Sequence, residues 1–123
     1  MFRINEDLSI ECTRGDAAVF SVGATINNVT HQFQQGDVVR FSVFEKKDCA
    51  DVVLKKDVKV TEATEAVEIQ LEGEDTKFGG IISKPTDYWY EVELNPETHP
   101  QTIVGYDENG AKVFKLYPES QEV

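Results

Sequence analysis

Glu91 and Glu93 stand two residues apart in the run Asp87-Tyr-Trp-Tyr-Glu-Val-Glu-Leu94, which alternates apolar and polar side chains. In an extended strand such positions share a face about 7 Å apart, so the run sets two carboxylates side by side with Trp89 next to them. Paired carboxylates perform glycoside hydrolysis, one as acid and the other as base or nucleophile, and an adjacent indole would stack on a sugar. No cleft signature accompanies them, however, and glutamates on the outer face of an antiparallel strand are ordinarily just solvated. Trp89, Glu91 and Glu93 are therefore expected to form an interface rather than a catalytic site. Three settings stay open for Trp89: cover by the connection from Gly73 to Pro85, a contact with another protein, where Trp and Tyr are enriched, or stacking on carbohydrate.

The other chemistry-bearing residues lack partners at useful spacing. Glu72, Glu74 and Asp75, and again Asp107, Glu108 and Asn109, supply hard oxygens that would hold a calcium ion weakly. Neither group sits in the twelve-residue loop of an EF-hand, so solvated turns are expected. His31 and His99 are remote from each other and from both cysteines, which leaves no zinc spacing. Ser9, Ser21, Ser42 and Ser83 have no nucleophile-elbow setting, and no glycine-rich phosphate loop occurs. Arg14-Gly15-Asp16 spells an adhesion tripeptide, yet Gly-Asp before a strand is ordinary turn chemistry. The expectation is no enzyme, no catalytic residue, no cofactor and no metal.

Charge narrows the partners. Acidic residues outnumber basic ones 23 to 12 across 123 residues, a net charge of -11 spread along the chain, which phosphate backbones and anionic lipid surfaces would repel. Nucleic acid and membrane are thus poor partners. Cys12 and Cys49 both precede Trp89, against the order of an immunoglobulin disulfide framework, so two reduced thiols are expected. Met1 to Glu6 lacks the basic-then-apolar pattern of a secretion signal, and synthesis in the cytoplasm follows as the expectation.

The elements that would position these residues are strands. Ala18, Phe20, Val22, Ala24 and Ile26 share a face, as do Val67, Ile69 and Leu71, and Tyr88, Tyr90, Val92 and Leu94. Phe2 to Cys12 reads as a short hairpin or bent strand across Asn5-Glu6-Asp7. Val38 to Phe44 is a nearly continuous apolar strand. Val52 to Val60 continues the pattern, with a bulge or bend at Lys55-Lys56-Asp57. Asn109-Gly110 predicts a hairpin joining Gln101–Tyr106 to Ala111–Tyr117. Helix is expected only as a turn near Glu62 to Thr64 or Glu74 to Phe78. The sum is an all-β, antiparallel, immunoglobulin-like sandwich of about seven to nine strands. Its core is expected to hold Phe20, Val22, Phe41, Val43, Ile69, Tyr90, Val92, Val104 and Phe114. One domain over 1–118 and a polar tail over 119–123 complete the organisation.

The order of features resembles a family of small β-sandwich proteins of bacteriophages and prophages, which includes the N-terminal domain of the upper baseplate protein of siphophage tails. The matching positions begin with an opening strand followed by Arg14-Gly15-Asp16. Gly36-Asp37-Val38-Val39-Arg40-Phe41-Ser42-Val43, the Tyr88 to Leu94 strand and Gln101-Thr102-Ile103 follow. Phe114-Lys115-Leu116-Tyr117-Pro118 closes the match. The likeness spans most of the chain, through short motifs. It implies a virion structural protein that docks onto tail or baseplate neighbours, or onto copies of itself, without catalysis. The baseplate protein continues beyond its sandwich into helical and receptor-facing parts, whereas only a short polar tail follows Pro118 here, so the resemblance implies a free-standing docking module. A carbohydrate- or ligand-binding sandwich is the alternative.

Overall fold

A computed structural model describes residues 1–26 and 28–119. Its elements in chain order are β1 (Phe2–Ile4), β2 (Ile10–Thr13), β3 (Ala18–Val22), β4 (Thr25–Ile26), β5 (Val29–Thr30), β6 (Val38–Phe44), β7 (Val52–Lys59), β8 (Val67–Leu71), a 3-10 turn (Gly73–Thr76), β9 (Thr86–Leu94), β10 (Gln101–Val104) and β11 (Lys112–Tyr117). The larger sheet runs β1-β2-β11-β9-β6-β7, with β10 also on β9, while β3 pairs with β8 and β4 with β5. The expected polar tail lies outside the described residues apart from Glu119, and so does Asn27 of the Asn27-Asn28 turn.

Alternation becomes layering in the expected way. Tyr88, Tyr90, Val92 and Leu94 are buried on β9, and Val67, Ile69 and Leu71 on β8. These inward faces meet in one cluster, where Phe41 is fully buried. Its ring centroid lies 5.3 Å from Phe20 across the layers, and 5.6 Å from Tyr90 and 6.3 Å from Phe114 within its own sheet. All nine expected core residues belong to this cluster, Phe20 and Val104 at its half-buried margin.

The sheet is mixed rather than antiparallel, because β11 runs parallel to β2, with Phe114 opposite Ile10 and Leu116 opposite Cys12. Alternation fixes which side chains face inward but is indifferent to strand direction. On its other side β2 pairs antiparallel with β1 in a hairpin. Its turn closes through Asn5 N–H to Ser9 O and Leu8 N–H to Asn5 O, both 2.9 Å.

The hairpin expected at Asn109-Gly110 is also corrected. β10 and β11 do not pair with each other; both pair antiparallel with β9, β10 on Leu94 to Val92 and β11 on Tyr90 to Thr86. They are two halves of one edge, and residues 105–111 leave the sheet opposite the single residue Glu91. The turn chemistry is present: Gly110 has φ +95° and Asp107 and Gly110 bond reciprocally. Its four residues close on themselves, while Val104, Phe114 and Leu116 each need the core, which holds both flanking runs on β9.

Smaller shifts follow the same logic. Lys55, Lys56 and Asp57 pair regularly with Ser42, Phe41 and Arg40, and the bulge lies instead beside Val53, between the Val43 and Phe44 pairings. Regular pairing turns Lys56 to the inner side of the edge strand, where its amine reaches Asp75 at 2.9 Å. β3 stops at Val22, where its pairing with β8 ends at Val67. Phe33, fully buried, bridges to Thr64 outside any strand.

Candidate functional site

The pairing of β6 with β9 assembles the outer face of the larger sheet. Phe44 lies opposite Trp89, Ser42 opposite Glu91 and Arg40 opposite Glu93. Phe44 is only 6% exposed although it lies outside the central cluster. Trp89 is half-buried, with Phe44 on one side and Val113 on the other as cross-strand neighbours. The connection from Gly73 to Pro85 places Phe78 on the inner face, against Tyr88 and Phe114, so that anchor covers the side opposite Trp89.

Glu91 owes its environment to the departure of residues 105–111. Gly105 sits against it, and a Cβ there would stand 3.6 Å from Glu91 Oε2 and 2.6 Å from Thr102 Cγ2, which is why the chain leaves the sheet on a glycine. Burial, and then the charge of Glu93, hold the Glu91 carboxyl above the usual carboxylate range. The turn between β6 and β7 folds toward the same place. The Cys49 thiol, at φ +64°, is raised by burial and then by Glu91. Arg40 is committed elsewhere: Nε and Nη2 bond Asp57 at 2.7 and 3.0 Å, and Nη2 reaches Glu97 at 2.9 Å. Neither Glu91 nor Glu93 has an ion-pair partner among the described residues.

A glycosidase pair must flank a bond from two sides. Glu91 and Glu93 project in one direction from a single strand, so they form one wall. The arrangement sets a carboxyl whose ionisation burial disfavours beside an aromatic surface, and the register puts Ser42 and the ion-paired Arg40, not a second carboxylate, across from the pair.

Most of the remaining candidates bond within the chain. Asp75 accepts the Glu72 N–H at 2.8 Å and pairs with Lys56. Asp107 accepts the Asn109 N–H at 2.8 Å and the nearly buried Lys112 amine at 2.8 Å. Among the described residues no three His, Cys, Asp or Glu side chains gather to hold a metal ion. Arg14 is 7% exposed and donates to Lys77 O at 3.2 Å, while the Gly15 N–H donates to Thr76 Oγ1 at 2.9 Å. The tripeptide is therefore a packed turn, with Asp16 on the N-terminal amine. Cys12 and Cys49 are free, and burial pushes the Cys12 thiol up to about 11.

A second surface was not foreseen. The two-stranded β3–β8 layer is too narrow to roof the larger sheet, and a cleft of about 200 Å³ opens beside β3. Ile4 and Leu8 form its rim, Tyr90, Val92 and Val104 its floor, and Phe20 to Gly23 its upper wall. Leu8 is held at φ +70°, and its carbonyl accepts the Tyr90 hydroxyl. A signal existed in Ile4 and Leu8, large apolar residues flanking an acidic turn. Only the tertiary arrangement brings them opposite β3. Compared with known proteins, the chain matches no family model, no curated protein and no solved structure.

Proposed function

We propose that this protein is a non-enzymatic docking module of a phage or prophage tail or baseplate, working through contacts with neighbouring proteins. The observation that carries the docking reading is the interlayer cleft. Its walls are aliphatic and aromatic, and Ile4 and Leu8 remain 42% and 41% exposed at its rim on a chain of net charge -11. Apolar surface left open on so acidic a protein fits a partner-binding role. In this reading the unequal layers are an immunoglobulin-like sandwich whose smaller sheet is short of strands. The assignment to a tail rests on the resemblance carried by Arg14-Gly15-Asp16, Gly36 to Val43, Tyr88 to Leu94, Gln101-Thr102-Ile103 and Phe114 to Pro118.

Mass spectrometry of purified virions and of assembly intermediates tests the tail assignment. The chain is expected in one or both. Particles that assemble and infect normally while lacking it at every stage would refute the assignment. The carbohydrate alternative predicts saturable glycan binding that disappears in Trp89→Ala.

A further inference from the structure

We propose that the unpaired edge of β3 receives an extended segment of another protein as an added strand, and that this segment alternates large apolar and basic residues. One edge of β3 is paired with β8 from Ala18–Leu71 to Val22–Val67, and the other has no strand partner among the described residues. An unpaired edge presents a row of backbone donors and acceptors at strand spacing, which is the template for strand addition. The apolar cleft runs along that same edge, lined by Phe20 to Gly23 above and by Tyr90, Val92 and Val104 below. A strand laid there would extend the narrow layer and turn alternate side chains down into the cleft. About 200 Å³ is room for roughly one or two aliphatic side chains, given that a cavity of about 150 Å³ holds benzene.

Charge selects the occupant. The other alternate side chains would face solvent beside Ser21, two strands and about 10 Å from Glu68, which lies opposite Ser21 on β8. That is about one Debye length at ordinary salt, where screening leaves Glu68 a minor pull that grows as salt is lowered. Glu6 and Asp7 stand in the turn that ends at the Leu8 rim. Arg3 is engaged by Glu11 and Lys112 by Asp107, and Lys112 also acts on Asp7, so the nearby cations are taken up within the chain and Glu6 is left as the exposed charge of the rim. A lysine- or arginine-bearing strand is attracted here. A second copy, itself at -11, is repelled. The inference rests on the docking reading but not on the tail assignment, because virion composition tests one and strand binding in vitro the other.

The test is selection of a short random-peptide library on the full chain, followed by amide hydrogen exchange with the best synthetic peptide. Enrichment of alternating apolar and basic residues is expected, with exchange of β3 amides slowed about tenfold or more and binding weakened by salt. Leu8→Gly removes the rim while satisfying φ +70°, so it should leave the thermal midpoint unchanged or raised yet weaken the peptide about tenfold. Val52→Thr, on the edge strand β7, should change neither. Peptides lacking the alternation, protection of β7 amides in place of β3, or no enrichment would overturn the proposal. So would a sedimenting dimer whose β3 amides are protected without peptide, since a second copy would then hold the edge.

Discussion

Thr76→Val asks whether the turn Arg14-Gly15-Asp16 is held by a single buried hydroxyl. Thr76 is fully buried, and its Oγ1 accepts the Gly15 N–H at 2.9 Å and donates to Asp16 O at 2.9 Å. Valine keeps the shape and removes both bonds, along with the longer contact of the same hydroxyl with Gly73 O at 3.1 Å. Each buried backbone group left unsatisfied costs about 1–3 kcal/mol, and partial rescue by solvent at the turn brings the expected total to about 2–4 kcal/mol. Thr76→Ser keeps the oxygen and loses one methyl, about 1 kcal/mol. Urea unfolding followed by the fluorescence of the single tryptophan, Trp89, separates the two. With a slope of about 2 kcal/mol/M, the valine variant should lose about 1–2 M in midpoint at unchanged slope. The Gly15 amide should also exchange faster in that variant. A valine variant no less stable than the serine one would refute the reasoning, since it would mean that shape alone holds the turn.

Three further outcomes follow from the buried groups. Glu91 has its carboxyl raised in the fold, so the folded chain binds the extra proton and stability falls as pH rises from the unfolded pKa through the folded one. Glu91→Gln should therefore be more stable than the parent at pH 7, with the gap closing below about pH 4, near the reference glutamate pKa; thermal midpoints across pH would expose a gap of opposite sign. Native-state titration with a thiol reagent at mildly alkaline pH should modify Cys49 more slowly than a free thiol and leave Cys12 untouched until unfolding, and equal rates would contradict the burial of Cys12. Phe41→Ala removes the ring that touches Phe20, Tyr90 and Phe114 and should cost about 3–5 kcal/mol by urea unfolding; a loss below about 1 kcal/mol would mean the layers do not meet there.

The sequence by itself determined which residues face inward. Successive side chains on a strand point to opposite sides, so Tyr88, Tyr90, Val92 and Leu94, or Val67, Ile69 and Leu71, can be assigned to the buried face with no knowledge of their neighbours. It also offered two places for a helical turn, of which the one near Glu74 carries the 3-10 turn and the one at Glu62 to Thr64 carries none, and it put Trp89, Glu91 and Glu93 on one outer face. Tertiary structure alone decided how those faces are joined. Alternation carries no information on strand direction, so the parallel pairing of β2 with β11 was invisible, and Asn109-Gly110 specified a turn without saying what its flanking strands would pair with. The burial of Glu91 depends on residues 105–111 departing opposite it, and the cleft depends on β3 having one neighbour rather than two. Such features arise from contacts between segments far apart in the chain, where many partners would satisfy each local pattern equally and the choice among them is made by the packing of the whole.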